Sequence, residues 1–125
     1  MHLIIGGAFQ GKTDWAKAQF SLQDADILEC NEQAFPDFSA GCITHLERFA
    51  LCCLRQGQEP GEVLLQHKDR WKDSILICDD ISCGVVPLDA QTRAWREACG
   101  RMLSALSTEA ETVTRIFCGL PQRLK

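Results

Sequence analysis

Residues Gly6-Gly7-Ala8-Phe9-Gln10-Gly11-Lys12-Thr13 fit the pattern GxxxxGK[ST] at every specified position. The apolar stretch His2–Ile5 precedes the run. Residues 11–20 follow it as an expected helix, with Trp15, Ala16, Ala18 and Phe20 on its apolar side. Strand, glycine-rich turn and helix are the setting in which this pattern cradles phosphate. Glycines let the backbone curl so that N–H groups point inward at phosphate oxygens. The helix starting near Gly11 adds the positive end of its dipole. The whole loop, Gly6 to Thr13, is therefore expected to bind a nucleoside triphosphate, either GTP or ATP. Lys12 would act on the β- and γ-phosphates, and the Thr13 hydroxyl would ligate Mg²⁺. Such a loop also needs an acid at a strand end to orient the hydrated metal. The candidates are Glu29, after Ile27-Leu28, and the Asp79/Asp80 pair after Ser74–Cys78, with Glu29 and Asp80 as the adopted metal residues.

The rest of the chain alternates strand and helix patterns. Asp26–Cys30 reads as a second strand, and Phe35-Pro36-Asp37 as a turn or loop. From Ser39 to Arg55, Ile43, Leu46, Phe49, Ala50, Cys53 and Leu54 recur at spacings of three and four, which predicts one amphipathic helix. A short helix is expected over 61–70. Ser74–Cys78 is the clearest strand, an apolar run of the kind buried on both faces. A helix over 89–108 follows, then a strand at Val113–Cys118, a Gly119/Pro121 turn and a short tail. This alternation predicts a single α/β domain over residues 1–125. Its expected form is a three-layer, P-loop NTPase-like fold with a mainly parallel central sheet flanked by helices.

Composition narrows the function classes. The formal charge of −4 and the absence of a Lys/Arg block argue against a nucleic-acid partner or an anionic membrane surface. No apolar stretch has the length of a membrane span, and the N-terminal apolar run is too short for a signal peptide. The eight cysteines contain no CxxC pair. Several sit inside apolar runs, such as Cys78 and Cys118, where a thiol acts as a small hydrophobe. Reduced, structural cysteines in a cytoplasmic protein are the expectation.

An ordered series of residues carries a more specific signal. Asp80-Ile81-Ser82-Cys83-Gly84-Val85-Val86-Pro87 comes first, then Arg93, Trp95, Arg96-Glu97 and Gly100-Arg101, and finally Cys118-Gly119-Leu120-Pro121. This series resembles the C-terminal half of the bifunctional adenosylcobinamide kinase/adenosylcobinamide-phosphate guanylyltransferases. Those proteins have an acid before a G-[IV]-V-P loop, then R-x-[FWY]-R-[DE]-x-x-G-R, then a strand ending near G-[IL]. The N-terminal loop is similar to that family's GGxxSGKS loop, with Gln10 in place of Ser. Leu28-Glu29-Cys30 looks like the family's "VDC" strand with Glu for Asp. The family carries an extra strand and helix after the loop helix, with a histidine that is guanylylated during GMP transfer. Here no histidine lies between Thr13 and Glu29, and His45, placed on the 39–55 helix, is the candidate replacement.

The resemblance implies a Mg²⁺- and nucleoside triphosphate-dependent kinase acting on the hydroxyl of a cobinamide-like alcohol. Lys12 and Asp80 are then the catalytic residues, and Asp80 orients the acceptor hydroxyl. Arg93 and Arg96 become phosphate-binding or interface residues, and Trp95 belongs to the core or a subunit interface rather than to a base-stacking platform. It further implies a homo-oligomer, with a trimer as one form, and makes guanylyl transfer doubtful. The alternatives are a non-catalytic nucleotide-binding regulatory protein and a simple NTP hydrolase.

Overall fold

The computed structural model describes residues 1–81 and 89–125. The Ser82–Pro87 part of the family-like series, including Cys83, lies outside the described residues.

Six strands form one sheet in the order β2-β3-β4-β1-β5-β6. They are β1 (His2–Gly6), β2 (Ile27–Glu29), β3 (Cys42–Thr44), β4 (Ile75–Asp79), β5 (Thr112–Phe117) and β6 (Leu120–Arg123). All neighbours pair in parallel except β5 and β6, which are antiparallel. The helices are α1 (Lys12–Phe20), α2 (Leu46–Arg55), α3 (Pro60–Gln66), α4 (Lys68–Trp71) and α5 (Ala90–Glu109). The mainly parallel α/β architecture expected from the alternating pattern is thus the one observed. Among the described residues no helix is long and apolar enough to cross a membrane.

Side chains that alternate along the strands divide the core into two layers. Leu3, Ile43, Leu76, Cys78 and Val113 face α2, α3, α4 and α5, where Phe49, Leu64, Trp71, Met102 and Leu106 complete the larger cluster. Ile4, Cys42, Ile75, Ile77 and Ile116 face α1 on the other side, against Ala16, Trp15 and Phe20. The sheet is therefore covered on both faces, as the unbroken apolar run Ile75–Cys78 requires.

Three segments differ from the sequence reading, the first being the helix expected over 61–70, which His67 divides into α3 and α4. The expected 39–55 helix is divided, because Cys42-Ile43-Thr44 forms β3 and the helix begins only at Leu46. All three residues of β3 are buried between β2 and β4. Ile43 and Leu46 are three apart, so the strand's apolar residue continues the helical spacing and disguises the boundary. At the junction His45 adopts a left-handed conformation (φ 59°, ψ 45°), so it precedes α2 rather than riding on it. The tail past Cys118 is not a free end but the edge strand β6, reached through the two-residue turn Cys118-Gly119.

Candidate active site

The loop between β1 and α1 is held in shape from beneath. A Cβ on Gly6 would lie 2.5 Å from the Ile116 carbonyl oxygen, so only glycine fits the end of β1 against β5. Gly11 caps α1 in a left-handed conformation (φ 86°), which glycine adopts without steric cost. Gln10 fastens the crest of the loop to the β5–β6 turn. Its side-chain Oε1 accepts from the Cys118 amide at 2.6 Å, and its carbonyl accepts from the Gly119 amide at 2.9 Å.

Lys12 is buried beneath this loop at 7% exposure. Its Nζ donates to the Gly7 carbonyl at 2.6 Å and pairs with Asp79 Oδ1 at 2.7 Å. The pairing follows from register. Gly6 stands opposite Asp79 in the β1–β4 ladder, and Asp79 continues the Ile75, Ile77 alternation toward the α1 face. Asp80 has its amide donating to the Gly6 carbonyl at 2.7 Å.

A cavity of about 540 Å³ opens over this arrangement. Ala8, Phe9, Gly11, Lys12, Thr13 and Asp14 line one side, and Thr44, His45, Arg48, Ile77 and Asp79 line the other. Phe9 is fully exposed at the rim. Behind His45 of the far wall the Glu47 carboxylate is buried, and His45 Nδ1 bonds its Oε1 at 2.8 Å. Its Oε2 accepts from the Asp79 amide at 3.0 Å. The Trp95 indole Nε1 donates to the Glu47 carbonyl at 2.7 Å, so α5 fixes the start of α2 from outside the cavity.

The candidate residues read from the sequence separate into two groups. Ala8, Phe9, Gly11, Lys12 and Thr13 converge on the cavity, as does His45, whereas Gly6, Gly7 and Gln10 shape the loop without lining it. The strand-end acid on the cavity wall is Asp79, and not Asp80. Glu29 is exposed on the edge strand β2, with β3 and β4 between it and β1, and does not line the cavity. Arg93 and Arg96 lie on α5 and do not line it either. Arg101, from the same series, makes a bidentate pair with Glu59 at 2.9 and 3.2 Å, which ties α5 to the start of α3. Thr44, Glu47 and Arg48 were not anticipated. The alternation of Ile75, Ile77 and Asp79 is the signal by which Asp79 was accessible. Glu47 had none, since an acid beside an apolar helical stripe ordinarily faces water.

Loop amides, a lysine and a helix N-terminus around one cavity can hold a polyanion. The Thr13 hydroxyl and the Asp79 carboxylate supply hard oxygen donors of the kind Mg²⁺ prefers, so the residues present fit that ion.

No curated protein matches the chain. The family model described as cobinamide kinase / cobinamide phosphate guanyltransferase matches residues 42–124. The matched segment starts at β3, so Leu28-Glu29-Cys30 falls outside it, as does the phosphate-binding loop itself. Covering about two thirds of the 125 residues, the match shows that this chain belongs to the cobinamide kinase / cobinamide phosphate guanyltransferase family.

Proposed function

We propose that the protein is a nucleoside triphosphate-dependent phosphotransferase of the cobinamide kinase type, with GTP or ATP as phosphoryl donor and the hydroxyl of a cobinamide-like alcohol as acceptor. The observation that carries this reading is the convergence of Lys12, Thr13 and Asp79 on a single cavity roofed by the 6–13 loop. Phosphoryl transfer asks mainly for positioning and charge stabilisation, and these residues are of the right kind to provide both. In the free protein Lys12 is satisfied by Asp79 and the Gly7 carbonyl. On binding, the ammonium exchanges those partners for β- and γ-phosphate oxygens, while loop amides take the remaining phosphate oxygens. Thr13 and Asp79 hold Mg²⁺, which neutralises charge on the β- and γ-phosphates when bound. Phe9 at the rim and Arg48 on the far wall border the space left for the acceptor. Guanylyl transfer is not part of the proposal.

A homo-oligomer belongs to the same reading. Phe117, Leu120 and Leu124 are exposed beside the unpaired edge of β6, a surface suited to contact with another copy.

Calorimetric titration with Mg·GTP and Mg·ATP, beside a Lys12→Ala variant, tests the nucleotide half. Saturable binding by the wild type that is lost in the variant is the expected result. Cobinamide is then added, and phosphorylated product establishes the kinase. Binding without product favours the regulatory alternative, and hydrolysis unaffected by cobinamide favours the simple hydrolase. Absence of binding by either nucleotide overturns the proposal.

A further inference from the structure

Beside the wall opposite the loop stands a second constellation, of which the proposed nucleotide site uses only Asp79. One donor atom each from His45, Glu47 and Asp79 lies within 4.8 Å of the other two. They come from the turn before α2, its first turn and the end of β4, so the fold brings Asp79 to Glu47 across 32 residues of sequence. Thr44, only 3% exposed and lining the same cavity as His45 and Asp79, has no hydrogen-bond partner for its Oγ1 among the described residues. A buried hydroxyl left unpaired is costly, so its position at a cavity calls for an occupant.

We infer that His45, Glu47 and Asp79 form a site for a dication of the zinc class, with Thr44 Oγ1 facing the bound ion or a water on it. One imidazole nitrogen and two carboxylates make a mixed N/O donor set, which suits Zn²⁺ or Co²⁺ better than Mg²⁺. Donors bound at about 2.1 Å on adjacent corners of a coordination shell stand roughly 3 Å apart. His45 Nδ1 and Glu47 Oε1 are already 2.8 Å apart, so little movement is required. Ligation uses the Nδ1 lone pair, and the ring proton then sits on Nε2. The charge balance also favours a cation. Two carboxylates with 6% and 20% exposed side chains meet here, and the Lys12 ammonium is paired with only one of them. A dication beside Asp79 loosens that pair, which frees Lys12 for an incoming anion.

The site shares Asp79 with the proposed nucleotide site, but its test contains no nucleotide, so either reading can fail alone. The full chain is titrated with Co²⁺ while its visible d–d absorption is followed, in parallel with His45→Asn. Asparagine tolerates the left-handed backbone at this position, and far-UV circular dichroism checks the fold. One equivalent of saturable Co²⁺ binding is expected, weakened at least about tenfold in the variant. Millimolar Mg²⁺ should not displace the ion. If the variant misfolds, paramagnetic broadening of the His45 ring signals in the wild type gives the same answer. Four results overturn the site: no saturable binding, equal affinity in a folded variant, displacement by Mg²⁺, or thiolate-to-cobalt bands that place the ion on a cysteine such as the exposed Cys118.

Discussion

A side chain added at Gly6 meets backbone rather than a movable side chain, because the nearest atom is the Ile116 carbonyl oxygen. Neither β1 nor β5 can yield without disturbing the ladder that joins them. Gly6→Ala should therefore lower stability by about 1–3 kcal/mol, the usual range for overpacking, and weaken nucleotide binding at the same time. Urea unfolding and calorimetry on the same sample read both effects. Gly57 offers the contrast. Its φ of 70° favours glycine, but a Cβ there would meet nothing within 4 Å, so the cost of Gly57→Ala is backbone strain alone and nucleotide affinity stays unchanged. Asp79 and Asp80 make the same point for chemistry. They are adjacent in sequence, but Asp79 ends β4 on the α1 side and pairs with Lys12, whereas Asp80 lies past the strand and does not line the cavity.

The β1–α1 loop and the β5–β6 turn act as a pair through Gln10. Gln10→Ala removes the bond to the Cys118 amide and leaves the one from the Gly119 amide to the main-chain carbonyl. A loss of about 0.5–1.5 kcal/mol in stability is expected. A several-fold weaker nucleotide affinity should accompany it, since the loop must then be ordered on binding, and calorimetry compared with thermal unfolding separates the two. Elements with long, self-consistent patterns were legible in the sequence. β1, β4, α5 and the phosphate-binding loop announce themselves through unbroken apolar runs, helical spacing and motif. β3 was not legible, because three residues are too few to establish a period of two and Ile43 falls in step with the helix that follows. β6 is entirely exposed, so no hydrophobic alternation marks it, and its existence depends on pairing with β5. The far wall of the cavity was hidden for a related reason. His45 and Glu47 owe their positions to the break between β3 and α2, which the spacing of apolar residues conceals.

At the scale of the whole molecule, the thiols are part of the core. Burial pushes Cys30, Cys53 and Cys99 up to about 12 and Cys42 up to about 11, and Cys78 is raised well above its ordinary value of 9.0. In the unfolded chain these groups ionise near pH 9, so the folded state binds more protons above that pH. Their contribution to stability is complete below pH 9 and is lost as the pH rises toward 11 to 12, by about 1.4 kcal/mol per pH unit for each thiol. Chemical denaturation at several pH values should show flat thiol-dependent stability up to pH 9 and a steep fall above it. Replacing Cys42 by Ala should make that fall shallower. A thiol reagent at neutral pH should modify Cys118 quickly and reach the six cysteines buried among the described residues only on unfolding.

The central position of β1 has a consequence for the order in which the molecule is assembled. β1 is bordered by β4 and β5, whose residues follow it by some seventy and more than a hundred positions. Residues 6–13 thus have no seat until residues 75–79 and 112–119 have been synthesised and have closed around them. Closing loops of that length is slow compared with forming the local helices, so α2, α3 and α5 can gather before the sheet is complete. During that interval the apolar strand Leu3-Ile4-Ile5 is without its neighbours and is exposed to association with other chains.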